Sequence, residues 1–315
     1  MVRNRDWVQS LLLDFMKTLQ IGIAGLDTSH VGAFANLLHD SSNEHHVPGG
    51  RITVAFPGGS PDFPLSIDRV EKFTTDLRET HKVEIVDSLA ALRGKCDAVM
   101  LESVDGRVHA AQFREVAEWG LPVFIDKPLA ISVADAREIA KIAEEKQVRV
   151  TSASAIRFAE AFRFTLAAGG DEPLLGADLF GPMAFVDGCP GYFWYGIHSV
   201  EMLFAAMGPG CQEVMVASAE SHDVLVGRWA DGRLGAVRGN RAGNNSFGGT
   251  IHRKTGSLAF DLSTGKKPYY ASLLEKVIPF LAGEAEVVSL PEMIEVIGFL
   301  DAANRSRESQ IWESL

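Results

Sequence analysis

Leu19, Ile21 and Ile23 alternate with smaller or polar residues, the two-residue period of a β-strand. Val31 to Leu38 changes to a helical period, with Phe34, Leu37 and Leu38 on one side. "RITVAF" (residues 51–56) reads as a second strand, and "DAVML" (97–101) is a short apolar run of the kind buried within parallel sheets. "HAAQFREVAEWG" (109–120) is a helix closed by a C-terminal glycine, and "PVFI" (122–125) is the next strand. Ser132 caps a further helix, with Asp135 three residues on as a relative of the capping box. "VRVTSA" (148–153) closes the series. Repeated β–α–β units of this length predict a parallel sheet with helices on both faces.

After about residue 155 the pattern changes. Helical "RFAEAFRFTLAA" (157–168) and "YGIHSVEMLFAAMG" (195–208) precede closely spaced strand-like runs. These are "EVMVASA", "VLVGRWA", "RLGAVRG" and "TGSLAFDL", separated by Gly, Asp and Asn turns, which predicts antiparallel neighbours. "YYASLLEKVIPFLAG" and "PEMIEVIGFLDAANRS" supply two closing helices. "NEHHVPGG" (43–50) and "PGGSPDFP" (57–64) read as loops. The expected fold is α/β: a doubly wound parallel sheet, then an α+β domain on an open, largely antiparallel sheet. Residues 1–18 are expected as an extension, 19–130 as a dinucleotide-binding unit, and 131–315 as a substrate and oligomerisation unit whose last helices are free to pack back on the first.

The chain has 315 residues, and its apolar share of 46% is enough for a sizeable core. A net charge of −11 argues against nucleic acid or an anionic membrane as partner. Cys96, Cys189 and Cys211 are far apart and form no C-x-x-C pair, so neither a disulfide framework nor a zinc site is expected, and a reducing cytoplasm fits better. Near the start, the apolar run Leu11 to Leu13 is broken by Asp14 and Lys17, too short for an export signal. It reads as an exposed helix or extension. No apolar run is long enough to span a bilayer.

Three stretches carry candidate chemistry. "GIAGLDTSH" (22–30) occupies a strand–turn–helix junction, where free backbone N–H groups and the helix dipole suit a phosphate. Where such a turn commonly has the spacing G-x-G-x-x-G, this chain has Gly25, Asp27 and His30. Gly25 makes the tight turn, and Thr28 or Ser29 can cap the helix. On local sequence alone, an ordinary capped turn competes evenly with a cofactor site. "FIDKPLA" (124–130) sets Lys127 just beyond a buried strand, where doubly wound sheets hold ligands. "GYFWYGIHSVEML" (191–203) sets His198 in an apolar, aromatic helix start. A solvated lysine and a packed histidine are the ordinary readings of the last two, taken singly.

Together and in this order, "IGIAG", "SVDGRVHAAQFREVAEWGLPVFIDKPLA" and "GIHSVEML" resemble the Gfo/Idh/MocA family, over roughly residues 19 to 300. The family's E-K-P signature appears as Asp126-Lys127-Pro128. Its D-x-G-x-H-x-x-D pattern appears as Trp194, Gly196, His198 and Glu201. The resemblance implies a Rossmann domain carrying NAD or NADP and a second domain that often forms oligomer contacts. It implies Lys127 and His198 as catalytic residues, Lys127 on the reacting hydroxyl and His198 as proton acceptor. It places the cofactor at Gly25, Leu26, Asp27, Thr28, Ser29, His30, Ser103, Asp126 and Lys127, and the substrate at Arg157, Tyr192, Trp194 and Tyr195.

Two departures stand out. The family aspartate four residues before the histidine is Trp194, an aromatic platform where a carboxylate would be. The second strand ends "VAFPGGS", with no acid for an adenosine ribose and no arginine beside Gly58, Gly59 and Ser60 for a 2′-phosphate. The expected activity is hydride transfer between NAD or NADP and a secondary hydroxyl of a sugar, sugar acid or cyclitol. Alternatives are a redox-neutral enzyme that oxidises its substrate transiently for elimination, and a non-catalytic ligand-binding protein on the same fold. No metal is expected: His39, His45 and His46 lie in or beside a polar loop without supporting carboxylates. An uncovered apolar sheet face over residues 211–262 predicts a homodimer or a dimer of dimers.

Overall fold

The computed structural model describes residues 18–315, so the extension expected before Thr18 lies outside the described residues. The first sheet has six parallel strands: β1 (Leu19–Ala24), β2 (Gly50–Phe56), β3 (Glu84–Ile85), β4 (Ala98–Leu101), β5 (Val123–Ile125) and β6 (Val150–Ser152). Their order is β3-β2-β1-β4-β5-β6, the doubly wound arrangement with its switch point between β1 and β4. The helices between them are α1 (His30–His39), α2 (Pro64–Glu79), α3 (His109–Ala117) and α4 (Val133–Lys146). β4 and β5 are buried at every position, as their unbroken apolar runs require. Because β6 belongs to this sheet, the parallel layer continues past residue 130. Ser132 caps α4 as expected, its hydroxyl accepting from Asp135 N–H at 3.1 Å.

The second sheet has seven strands in the order β12-β11-β7-β10-β9-β8-β13. Those are β7 (Leu174–Pro182), β8 (Cys211–Ser218), β9 (His222–Trp229), β10 (Leu234–Asn240), β11 (Gly248–Arg253), β12 (Gly256–Asp261) and β13 (Glu313–Ser314). All neighbouring pairs are antiparallel except β7 with β10. α5 (Glu160–Ala168) and α6 (Gly196–Met207) lead into it, and α7 (Tyr269–Leu281) and α8 (Leu290–Ser309) follow. Leu179, Val214, Val216, Leu225, Trp229 and Val237 form its buried face. Phe204 of α6 packs there between Trp229 and Phe299 of α8, with ring centroids 5.7 and 5.8 Å apart.

The opposite face of this sheet is mixed rather than cleanly apolar. Its central row runs Met215, Val226, Ala236, Asp178 and Thr250 across five paired strands, and Arg228, Arg238 and His252 share that side. The last helices return to the first sheet. Thr151 of β6 exchanges hydrogen bonds with the Val288 backbone, and Tyr270 of α7 meets Phe34 of α1 edge-on, with centroids 5.6 Å apart. α7 therefore lies over the start of α1, which closes the site described next.

Candidate active site

The turn between β1 and α1 is built around a close approach. Gly25 has φ +95°, and a Cβ there would lie 2.3 Å from the Ser103 amide nitrogen, so only glycine fits. Asp27, which stands where the usual turn has its second glycine, points away from the cleft and is buried. Its Oδ1 accepts from Val104 N–H at 2.9 Å and its Oδ2 accepts from the Ser66 hydroxyl at 2.5 Å. Ser66 in turn accepts from Ser60 N–H at 2.8 Å. One carboxyl thus ties the phosphate-type turn to the loop after β4 and to the first turn of α2. Burial raises the Asp27 carboxyl above its ordinary range, against the opposing pull of those hydrogen bonds.

The turn faces a cleft of about 280 Å³ between the two sheets. Thr28, Ser29 and His30 form one wall, and the first amides of α1 have no intrahelical acceptor. The Thr28 hydroxyl accepts from His30 N–H at 3.4 Å, while Ser29 makes no side-chain cap bond to α1. Asp126 and Lys127 reach the cleft from the end of β5; Trp194, Tyr195 and His198 reach it from the start of α6. The structure therefore brings Lys127 and His198 together from opposite sheets. Lys127 Nζ lies 5.9 Å from the centroid of the Trp194 ring, a cation–π placement, so the residue that replaces the family carboxylate orients the lysine by its face. His198 Nδ1 is 2.7 Å from the Ser154 hydroxyl, and its ring packs against Tyr195 and Phe247. Burial, then the neighbouring Lys127 and His30, holds the imidazole well below its ordinary range, so it is neutral at neutral pH.

Not every expected residue arrives at the cleft. Leu26, Asp27 and Ser103 lie beneath it, buried. Tyr192, expected on the substrate, is fully buried, and its hydroxyl donates to Asp223 at 2.9 Å. Arg157 is likewise corrected. Its guanidinium is sealed between Glu201, at 2.6 Å, and Glu292, and forms a structural ion triad away from the cleft. Glu201, the last member of the histidine motif, serves that triad and not His198.

Other residues appear that the sequence did not single out. Arg69 of α2 lines the cleft beside the turn, and one guanidinium nitrogen is buried without a hydrogen-bond partner. An arginine therefore does approach the phosphate-type turn, from nine residues beyond Ser60. His109 is buried, with its ring nitrogens 2.9 Å from the Pro128 carbonyl and 2.8 Å from the Ser103 carbonyl. It fixes the loop that carries Lys127 against the loop after β4. Glu102 follows β4 directly, fully buried, beside Asp126 and His30. Burial, and then the Asp126 charge, pushes its carboxyl well above the carboxylate range. Asp126 is held down at about 2: His30 and Lys127 outweigh a burial penalty that would raise it. Among the described residues no helix is long and apolar enough to cross a membrane.

Residues 65–154 match the family described as "Oxidoreductase family, NAD-binding Rossmann fold". The oxidoreductase-like protein YceM of Salmonella typhimurium is 31% identical over 148 residues, a stretch spanning 47% of this chain and 42% of YceM. The chain thus aligns with less than half the length of that relative. Among solved structures, myo-inositol dehydrogenase from Lactobacillus casei, in complex with NAD(H) and myo-inositol, superposes with a TM-score of 0.76 at 14% identity, covering 95% of this chain and 97% of that one. GenD2 from gentamicin A biosynthesis, in complex with NAD, has the same TM-score at 17% identity, with 95% and 97% covered. A myo-inositol dehydrogenase from Corynebacterium glutamicum gives 0.74 at 15%, with 95% and 99% covered. At these identities the structures establish the shared two-sheet fold. Residues 65–154 thus match the oxidoreductase family model, and the two-sheet fold along the chain is the one these solved structures share.

Proposed function

We propose that the protein is an NAD(P)-dependent dehydrogenase acting on a secondary hydroxyl of a sugar, sugar acid or cyclitol. The carrying observation is that Lys127 and His198 line one cleft whose other wall is the first turn of α1. The residues present fit a dinucleotide. Gly25 keeps the turn tight, the Asp27 carboxylate is turned away from the position of the phosphates, and the unpartnered Arg69 nitrogen is a ready donor to them. Thr28, Ser29, His30, Arg69, Asp126 and Lys127 would hold it; when bound, it supplies a hydride acceptor or donor.

The chain's own residues handle the proton. In the tautomer that donates Nδ1–H to Ser154, neutral His198 keeps its other ring nitrogen as acceptor for the substrate hydroxyl proton. Lys127 is the cation that stabilises the developing alkoxide. Trp194 and Tyr195 offer apolar faces for a sugar ring. Assembly as a dimer or a dimer of dimers remains part of the proposal, with the half-buried Met215, Val226 and Ala236 as the apolar strip of the outer face of the second sheet.

The reading is tested in two stages. Calorimetric titration with NAD+, NADH, NADP+ and NADPH should give binding to at least one, and a polyol panel should then give turnover. Lys127→Met and His198→Asn should each lower turnover about 10²- to 10⁴-fold, the usual worth of an acid–base group, and His198→Asn should leave nucleotide affinity nearly intact. Absence of heat with all four nucleotides, or near-normal turnover in both variants, overturns it.

A further inference from the structure

We propose that His30, Glu102 and Asp126 bind one divalent transition-metal cation at the floor of the cleft. Strand register sets the two carboxylates side by side. Ala24, Leu101 and Ile125 pair across β1, β4 and β5, and the ladder continues through Glu102 N–H to the Ala24 carbonyl, at 2.7 Å, and Asp126 N–H to the Leu101 carbonyl, at 2.8 Å. His30 reaches them from the first residue of α1. One imidazole nitrogen and one oxygen from each carboxylate lie within 4.8 Å of one another.

Both Glu102 oxygens lack a hydrogen-bond partner, and His30 Nδ1 and Asp126 Oδ2 have only each other, at 2.9 Å. Glu102 is fully buried, so water does not compensate it. Buried polar groups are almost always paired, and each one left unpaired costs about 1–3 kcal/mol. Convergence of several on one point is the arrangement of a ligand set awaiting its ion. A cation would meet all three side chains at once, offset the Asp126 charge and favour the ionised form of Glu102.

The donor set narrows the ion. One imidazole with two carboxylates suits Zn2+, Mn2+ or Fe2+, whereas Mg2+ and Ca2+ prefer oxygen alone. In a tetrahedral site, ligands at about 2.1 Å from the centre stand about 3.4 Å apart, so the widest pair must close by up to about 1.4 Å on binding. His30 and Asp126 also line the cleft beside Lys127 and His198, so an open coordination position would face the bound small molecule.

The site is tested by binding, without turnover, so its failure leaves the dehydrogenase reading standing. Full-length, tag-free protein is stripped with EDTA and titrated with Zn2+, Mn2+ and Co2+ by calorimetry, with Mg2+ for comparison; Co2+ absorption and metal analysis after gel filtration follow. One Zn2+ or Mn2+ per chain and a visible Co2+ band are expected. Glu102→Gln and His30→Asn should each weaken binding by about 10-fold or more while a thermal melt shows them folded. If either variant fails to fold, Asp126→Asn takes its place. No binding by the wild-type protein at millimolar metal overturns the proposal. So does Zn2+ affinity unchanged by a folded variant, which would place the metal elsewhere and leave Glu102 and Asp126 as a pair sharing one proton.

Discussion

Asp27→Gly restores the second glycine of the usual phosphate-binding turn, and we expect it to damage the protein. The variant removes the acceptor of Val104 N–H, at 2.9 Å, and of the Ser66 hydroxyl, at 2.5 Å. Each buried donor left without a partner costs about 1–3 kcal/mol, and the added chain freedom of glycine roughly 0.5–1 kcal/mol more. Against this stands some relief from burying a carboxyl, the direction in which burial moves its titration. The net expectation is a loss of about 3 kcal/mol, roughly a hundredfold in the folding constant and, at about 2 °C per kcal/mol for a chain of this size, a melting temperature lower by about 6 °C. Asp27→Asn is the control. Its carbonyl still accepts from Val104 N–H, and Ser66 can accept from the new amide, so it should lose less than about 1 kcal/mol. Urea unfolding monitored by fluorescence gives the stabilities, and NAD+ titration gives the affinity. Asp27→Gly as stable as wild type, or a tighter binder of nucleotide, would refute the idea that this carboxyl is a clamp between the turn and its supporting loops.

The acid limb of the pH–rate profile should lie below pH 6.5, because burial and then Lys127 and His30 depress His198; Lys127→Met should shift that limb upward in whatever turnover remains, and His198→Asn should abolish it. Arg69→Leu should weaken nucleotide binding with little change in thermal stability, since one of its guanidinium nitrogens has no partner to lose; unchanged affinity counts against its place at the phosphates. Arg157→Met strands Glu201 and Glu292 and should cost about 3–5 kcal/mol in urea unfolding, the usual effect of breaking a buried ion pair from one side. The loss should shrink as pH falls, because Glu201, already raised by burial, then protonates. Light scattering at micromolar concentration should give a dimer or larger, and a monomer would remove the assembly proposal.

The fold was readable where side-chain pattern and burial coincide. β4 and β5 are buried on both sides and show as apolar runs; α4 shows through its capping serine. α2 escaped because only Ser66, Thr74 and Leu77 of its sixteen residues are buried, so no apolar stripe marks it. β7 escaped because Gly176, Gly181 and Pro182 interrupt its apolar pattern. In the sheet, Gly181 is required by packing: a Cβ there would lie 2.5 Å from the Ser199 hydroxyl. The sequence pattern records a missing side chain but not the neighbour that excludes it.

The site follows the same division. That Lys127 and His198 share one cleft was legible because their motifs share an order and spacing, and each sits at the end of a recognisable element. Arg157 and Tyr192 were misread for the opposite reason. Both adjoin those motifs, but adjacency along the chain does not fix direction: Arg157 turns to two carboxylates 44 and 135 residues away, and Tyr192 to Asp223, 31 residues away. Asp27 is the sharpest case. A carboxylate beside a phosphate is unfavourable, so its sequence position alone spoke against a cofactor. Its two hydrogen bonds reverse that inference, because they turn the charge away from the cleft and stiffen the turn that faces it. What sequence cannot carry is the partner across the fold, and for Asp27, Arg69 and Glu102 the presence or absence of that partner decides the role.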